Sequence, residues 1–326
     1  MNRFPIYLKC IFIFWILPLK YFQLNAQSEP QFSHYMYNRA IFNPAYAGSN
    51  DAVEINALHR SQYVGIAPNA INTQFVGFNL PIYAISSGIG LSVVNDISGA
   101  LRSTYVGFQY NYRRKFNWGK FGIGIGAGFI QAGLDGNKLR APEGEYQNGI
   151  NHNDATLPVN LEQAIAPDFS LGVYFNNERW FVGASVNHLV ASIIKFQPGN
   201  AYNYSRNLLV SGGYDIKITK RFYLMPSAFL KSDFKKAQLD IALNATIADN
   251  FLLGFSFRGY DGNSIDAATI FAGFRIKGFR LVYSYDVNLS GLRNFNTGSH
   301  EVSAAYILLL KKKERKIFYY HNPRFL

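Results

Sequence analysis

Hydrophobic and polar residues alternate along much of the chain with a period of two. Phe108 and Tyr110, for example, fall on one face of a stretch whose other face carries Gln109 and Asn111. Three further segments alternate in the same way: 238–247, 251–258 and 281–288. Successive side chains of a β-strand point to opposite sides, whereas helical patterns repeat every three to four residues. The alternation therefore predicts β-strands with one apolar and one polar face.

The predicted strands number about fourteen, each roughly ten residues long. They begin near Val53, Asn72, Ser87, Ser103, Gly119, Ala166, Trp180, Asn207, Phe222, Ala237, Phe251, Ser264, Phe279 and Ser299. A tilted strand of this length crosses a bilayer, and bacterial outer-membrane barrels contain an even number of strands. We therefore predict an all-β fold: a transmembrane, antiparallel, up-and-down β-barrel formed by residues 53–310.

The predicted connections between strands fall into two classes of length. Tight turns are expected at 117–119, 176–179, 248–250 and 277–278, and longer loops at 61–71, 134–165, 190–206 and 288–298. Outer-membrane barrels have short periplasmic turns and long extracellular loops. A soluble β-sandwich also alternates in polarity, but it has no reason to sort its loops by length. The loops thus favour a barrel in the cell outer membrane, with both termini periplasmic and the 134–165 loop outside.

Glycine occupies every second position between Phe121 and Phe129. This spacing does not match the GxGxxG pattern of a phosphate-binding loop, so the glycines are predicted to line one face of a strand. Because these lumen-side positions carry no side chains, they leave room for another segment of the chain to approach closely.

The first 26 residues are predicted to be a signal peptide. Arg3 and Lys9 give a positive start, an apolar run follows from Ile11 to Leu17, and Ala26 precedes a possible cleavage point. That run is too short to span a membrane as a helix, so a cleaved signal is preferred to an uncleaved anchor.

Charge and composition narrow the function classes. The chain carries a net charge of +12. Three of the cations lie in the predicted signal peptide, and the segment 311–326 holds six more against one glutamate. The excess therefore lies mainly at the two ends, and we predict a solvated, basic, periplasmic tail rather than a nucleic-acid partner. Only 16% of residues are charged and 16% are aromatic, which suits a sheet facing lipid.

No arrangement of residues points to catalysis. The single cysteine, Cys10, lies in the predicted signal peptide, which leaves no thiol chemistry for the exported chain. The six histidines are scattered, without HExxH spacing, and there is no GxSxG motif. Acidic residues of the 134–165 loop could hold a cation but are interpreted as solvated. The sequence therefore predicts neither an enzyme nor a metal or cofactor site.

Residues 27–52 form an aromatic segment before the first predicted strand. It lacks a regular period, and Asn43-Pro44 followed by Gly48 favours turns. Exposing so many aromatic side chains would be unfavourable, so the segment is expected to pack against protein. It is predicted to be a lumen plug or a contact surface for a periplasmic partner. The candidate residues are Pro30, Gln31, Phe32, Tyr35, Met36, Asn38, Asn43, Pro44, Tyr46 and Gly48.

The same segment resembles the PorP/SprF family of the type IX secretion system of Bacteroidetes. The family opens with a D/E-P-Q-F-S-x-Y-M-x-N stretch, matched from Glu29 to Asn38, and an N-P-A-x-A-G motif, matched from Asn43 to Gly48. The similarity continues through 60–65, 88–91, 172–174, 182–183 and 187–189. The basic tail departs from the family pattern, in which the chain ends shortly after the last strand.

The resemblance implies a non-enzymatic component of the secretion and gliding machinery in the outer membrane. Such a protein would bind, help export or anchor a secreted adhesin-like surface protein through the C-terminal domain of that cargo. Alternatives are a structural partner of the periplasmic lipoprotein ring of the secretion motor and an outer-membrane channel or hydrophobic-solute transporter. An outer-membrane hydrolase is the least favoured, since the sequence carries no catalytic pattern.

Overall fold

The computed structural model describes residues 29–66, 71–196, 201–260 and 264–310. The predicted signal peptide (1–26) and basic tail (311–326) lie outside these residues. The described residues form the strands β1 (Ala52–Gln62), β2 (Ile71–Ile82), β3 (Ser87–Ser98), β4 (Leu101–Phe116), β5 (Gly119–Asp135), β6 (Leu161–Asn176), β7 (Trp180–Asn187), β8 (Ile193–Lys195), β9 (Ala201–Asn203), β10 (Asn207–Tyr214), β11 (Ile216–Thr219), β12 (Phe222–Ser232), β13 (Ala237–Ile247), β14 (Phe251–Tyr260), β15 (Ser264–Ile276), β16 (Phe279–Asn288) and β17 (Ser299–Leu309).

The large sheet closes on itself. Each strand pairs with its neighbours in antiparallel register, and the circle is completed by β1 pairing with β17 and β10 pairing with β12. β10 and β11 pair with successive parts of β12, so together they form one wall strand. β8 and β9 form a separate two-stranded sheet. The result is a closed barrel of 14 strands, which confirms the predicted fold.

The two ends of the barrel differ in their connections. The turn end carries the connections 117–118, 177–179, 248–250 and 277–278, and the loop end carries 63–70, 136–160, 188–206 and 289–298. Two connections at the loop end, 99–100 and 233–236, are also short. The predicted strand starts agree within two residues except for the sixth strand. That strand begins at Leu161 rather than Ala166 because Leu161 pairs with Asp135.

The extension of this hairpin corrects the predicted 134–165 loop. β5 continues to Asp135, and the register with β6 is unbroken from Leu161 onward, so the connection covers 136–160 only. The paired strands β5 and β6 contain 17 and 16 residues. Both are longer than the roughly ten residues that cross a bilayer, so this hairpin projects beyond the membrane.

The two faces of the wall follow the alternation in the sequence. Along β14, Phe255 and Phe257 are about half exposed on the outer face, whereas Ser256 and Arg258 are buried in the lumen. The outward aromatic and aliphatic side chains form the lipid-facing surface that this class of fold requires. None of the helices in the described residues is long and apolar enough to span a membrane.

Residues 29–51, here called the lumen segment, run through the barrel from one end to the other. Glu29 contacts His188 and Asn207 at the loop end, and Asp51 contacts Lys120 at the turn end. The last strand also ends at the turn end, beside the start of β1. The two ends of the described chain therefore lie at opposite ends of the barrel. The predicted periplasmic position of both termini concerns residues outside the described part of the chain, and it stays a prediction.

Candidate functional site in the barrel lumen

Glycines of the wall receive the middle of the lumen segment. A Cβ added to Gly124 of β5 would lie 2.3 Å from the backbone N of Ala45, and one added to Gly172 of β6 would lie 2.1 Å from Oδ1 of Asn43. These distances are far shorter than any van der Waals contact, so only glycine permits the approach. The finding confirms that the glycines of β5 face the lumen and leave room for another segment.

Hydrogen bonds fix this part of the segment against the wall. Asn43 donates through Nδ2 to the carbonyl of Val173 (2.9 Å), and its Oδ1 accepts from the backbone N–H of Ala45 (2.9 Å). The Asn43 side chain thus caps the short 3-10 helix Pro44–Tyr46 and also attaches it to strand β6. Arg113 donates to the carbonyl of Gly48, which adopts the left-handed region at φ +67°.

The other candidate residues are also located in the lumen. Pro44 and Tyr46 are buried, and the Tyr46 hydroxyl donates to Glu54 (3.2 Å). Gln31 exchanges two hydrogen bonds with Gln238 of β13, at 2.9 and 3.0 Å. Asn38 donates through Nδ2 to the carbonyl of His34 (3.3 Å), and Pro30 lines a small cavity beside the wall.

Aromatic side chains of the segment form the apolar core of the lumen. Phe32, Tyr35 and Met36 are each at most 4% exposed. Tyr35 stacks on Phe229 of β12 with ring centroids 5.2 Å apart, and its hydroxyl lies 3.1 Å from Ser227 Oγ. Phe42 approaches the same Phe229 ring at 4.6 Å. Removing this surface from water stabilises the segment inside the barrel.

A buried ion network joins the segment to three wall strands. Arg60 of β1 lies 2.7 Å from Asp286 of β16 and 3.0 Å from Glu301 of β17, and all three side chains are at most 1% exposed. Glu301 also accepts the backbone N–H groups of Ser33 (2.7 Å) and His34 (2.8 Å). Because each charge has several partners, the network can tolerate its burial.

Arg258 of β14 extends the network to two further strands. Its Nε donates to Asp240 of β13 (3.0 Å), and its Nη1 lies 3.5 Å from Asp286. Arg258 also reaches the Ser33 hydroxyl at 3.2 Å. The neighbouring His34 has no exposed surface, and its Nδ1 lies 3.2 Å from the carboxylate of Glu301. The lumen side of the network therefore surrounds Ser33 with charged hydrogen-bonding groups.

A second ionic contact, the His188 clamp, holds the first described residue at the loop end. Nε2 of His188 lies 2.8 Å from Glu29, and Nδ1 lies 3.0 Å from Asp168 of β6. Burial alone would lower the pKa of His188, but the two carboxylates outweigh burial and raise it to about 10. His188 is therefore a cation at neutral pH, bridging the segment and the wall. Although burial opposes it, the contact with His188 lowers the pKa of Glu29.

Replacing His188 with glutamine is expected to lower the free energy of unfolding by about 3 kcal/mol at pH 7, because two buried carboxylates lose their cation. Since its pKa in the folded state exceeds the ordinary 6.5, the stabilising charge is fully present below pH 6.5 and is lost as the pH rises through about 10. Urea unfolding in detergent micelles should show the difference between wild type and H188Q shrinking over that range. Glutamine at the exposed His59 is the control, and a pH-independent difference would contradict the clamp.

A lid covers part of the lumen at the loop end. The connection 188–206 contains the β8–β9 hairpin, and its Ile194, Phe196 and Tyr204 pack against Ile130 of β5. The Tyr204 hydroxyl donates to Ser103 of β4 (2.6 Å). Beneath the lid, a cavity of about 60 Å³ remains between the lumen segment and the wall. No cluster of histidine, aspartate, glutamate or cysteine in the described part of the chain could hold a metal ion.

The functional residues that the sequence did not single out are the charged groups of the lumen. Arg60, Asp286, Glu301 and Arg258 all lie on the inward face of their strands. The alternation in the sequence already indicated that these residues face inward, and a charged residue in the lumen of a barrel requires a partner there. His188 lies in one of the segments that resemble the family, but its pairing could not be predicted, since its partners Glu29 and Asp168 are remote in sequence.

These features define a bacterial outer-membrane β-barrel whose lumen is occupied by its own N-terminal segment. The sequence profile of "Type IX secretion system membrane protein PorP/SprF" matches residues 24–306. The chain therefore belongs to the PorP/SprF family, as its motifs had indicated. Among curated proteins, none matches the chain.

Solved structures with a similar fold are outer-membrane barrels. The toluene transporter TodX of Pseudomonas putida is 8% identical with a TM-score of 0.49, and 84% of this chain and 94% of TodX are covered. The toluene transporter TbuX of Ralstonia pickettii is 10% identical with a TM-score of 0.45, covering 82% and 92% of the two chains. A FadL homologue of Pseudomonas aeruginosa is 12% identical with a TM-score of 0.41, covering 85% and 94%. Similarity this low carries no functional information.

Proposed function

We propose that this protein is a non-enzymatic outer-membrane component of the type IX machinery that binds a secreted surface protein through the C-terminal domain of that cargo. In this role it helps to export the cargo or anchors it at the cell surface. The observation that carries the proposal, together with family membership, is the occupied lumen. A barrel filled by 23 of its own residues is suited to handling a protein at its ends rather than passing solutes through its middle.

The occupied lumen argues against the alternative of a diffusion channel. The segment is held by buried aromatic contacts, the Arg60 network and the His188 clamp, and the cavity beneath the lid measures only about 60 Å³. The purified protein is therefore expected to give no steady conductance in planar bilayers.

The loop end supplies the proposed contact surface for the cargo. The connections 136–160 and 188–206 are the longest described ones, and exposed loops on a rigid scaffold commonly carry binding functions. We place this end outside the cell, in keeping with the loop lengths of outer-membrane barrels. Trypsin added to intact cells should then cut after Lys138 or Arg140 in the 136–160 connection. Cleavage that occurs only at Lys220 or Arg221 would show that the turn end, and not the loop end, faces the outside of the cell.

Deleting the gene tests the proposed function. We expect loss of surface display of one secreted protein, measured by labelling intact cells and mass spectrometry, and restoration by a plasmid copy. Normal display of every surface protein would contradict the proposal. A pull-down of the native protein from the outer membrane should recover the lost cargo. Recovery of periplasmic ring lipoproteins alone would instead favour the structural role in the secretion motor.

A further inference from the structure

The turn end contains a pocket lined by arginines that the proposed function does not use. It lies between the lumen segment and strands β12 to β16, and its volume is about 200 Å³. Three elements each contribute one cation: Arg39 of the lumen segment, Arg275 of β15 and Arg280 of β16. Among the lining residues, Asp215 is the only carboxylate.

The three arginines lack the neutralising partners that the other lumen arginines have. Arg60 and Arg258 each contact two carboxylates, whereas no carboxylate of the described residues lies within 4 Å of Arg39, Arg275 or Arg280. Cations that converge on a narrow, partly enclosed space raise the local potential and attract an anion. Asp215 and Glu54 act on Arg39 and Arg280 only from a greater distance, so the pocket offers guanidinium groups without a directly paired carboxylate.

Neutral groups hold two of these guanidinium groups in place. Arg39 lies 3.5 Å from the ring centroid of Phe181 and donates through Nη1 to the Tyr174 hydroxyl (3.0 Å), while its buried Nε has no partner. Arg280 lies over the ring of Tyr37 at 4.9 Å and donates through Nη2 to the carbonyl of that residue (2.8 Å). Rings and carbonyls orient an arginine without cancelling its charge, so the positions are set before a ligand arrives.

We propose that this pocket binds the carboxylate of an acidic protein segment at the turn end. Carboxylates match the fork of a guanidinium group, and a volume of this size accommodates one or two side chains rather than a folded domain. A membrane lipid is a less suitable source of the anion. The sequence neighbours Phe274 and Leu281 face outward, so alternation places Arg275 and Arg280 on the inward face of their strands. The proposal is independent of the cargo and concerns the opposite end of the barrel.

Binding of a fluorescently labelled tetraglutamate peptide to the purified, folded barrel in detergent tests this site by fluorescence anisotropy. The double variant R275Q/R280Q should bind at least about tenfold more weakly than wild type, since two charge-assisted contacts are lost. K220Q, which removes a turn-end charge outside the pocket, should stay within about twofold. Tetraglutamine should not bind. Heat-modifiable migration in gels verifies that each variant is folded.

Three outcomes would overturn the proposal. They are equal binding by wild type and R275Q/R280Q, an equal loss in K220Q, and an absence of tetraglutamate binding at low salt. A fourth result would also overturn it: displacement of the labelled peptide at a lower concentration of an anionic phospholipid than of unlabelled tetraglutamate, which would assign the arginines to a lipid phosphate. None of these results bears on the cargo experiment, which concerns surface display.

Discussion

Replacing Gly124 with alanine is expected to lower the free energy of unfolding by about 3 kcal/mol, the upper part of the range for overpacking a filled interior. The added Cβ would lie 2.3 Å from the backbone N of Ala45. That neighbour is backbone, so it cannot rotate away as a side chain could, and the Asn43-Pro44-Ala45 turn would have to leave the wall. Urea unfolding of the refolded barrel in detergent micelles, monitored by tryptophan fluorescence, measures the loss.

The matched control is Gly212→Ala on β10. A Cβ at that position has its nearest neighbour at 3.5 Å, an ordinary contact distance, so stability should remain unchanged or rise slightly. Equal stability of the Gly124 and Gly212 variants would show that the lumen segment does not rest on β5. If the Gly124 variant fails to assemble, the yield of the heat-modifiable band provides the same comparison.

Replacing Arg60 with methionine is expected to cost about 3–5 kcal/mol. Asp286 and Glu301 are at most 1% exposed, and the variant removes the cation that they share. Methionine preserves much of the volume of the side chain, so the measured loss reports charge rather than an empty space. The measurement is again urea unfolding in detergent micelles at neutral pH.

Arg102→Met serves as the control for this variant. Arg102 lies 3.6 Å from Asp135, but its side chain is 44% exposed, and such surface pairs contribute at most about 1 kcal/mol. Comparable losses in the two variants would mean that the lumen network is no more important than a surface ion pair. A loss confined to Arg60 would establish the network as a main attachment of the lumen segment.

Much of the wall could be predicted from the sequence because its cause is local. Alternation between residues such as Phe255 and Ser256 reflects the two environments on either side of one strand, and each strand reports its own environment. The regularly spaced glycines around Gly124 likewise predicted that another segment of the chain approaches β5 closely, although they did not identify that segment. The strand starts were predicted within two residues, apart from β6, which begins at Leu161 because the β5–β6 hairpin continues beyond the membrane.

The arrangement of the lumen could not be predicted, because it depends on contacts between remote residues. The contact between Arg60 and Asp286 joins positions 226 residues apart, and alternation shows that each faces inward without showing which pairs meet. The direction of residues 29–51 was also hidden. Their composition indicates packing against protein, but only the contacts of Glu29 and Asp51 reveal that they cross the whole barrel.

The position of the lumen segment bears on the order in which the segment packs and the barrel closes. The wall closes by pairing Ala52–Gln62 with Ser299–Leu309, the first and last strands of the circle. Residues 29–51 immediately precede that seam and are enclosed by the closed wall. We expect the segment to pack against the strands before the seam closes, since its aromatic side chains would otherwise be exposed to water. Packed there, it would present its aromatic side chains and its contact with Gly124 to the strands as they pair.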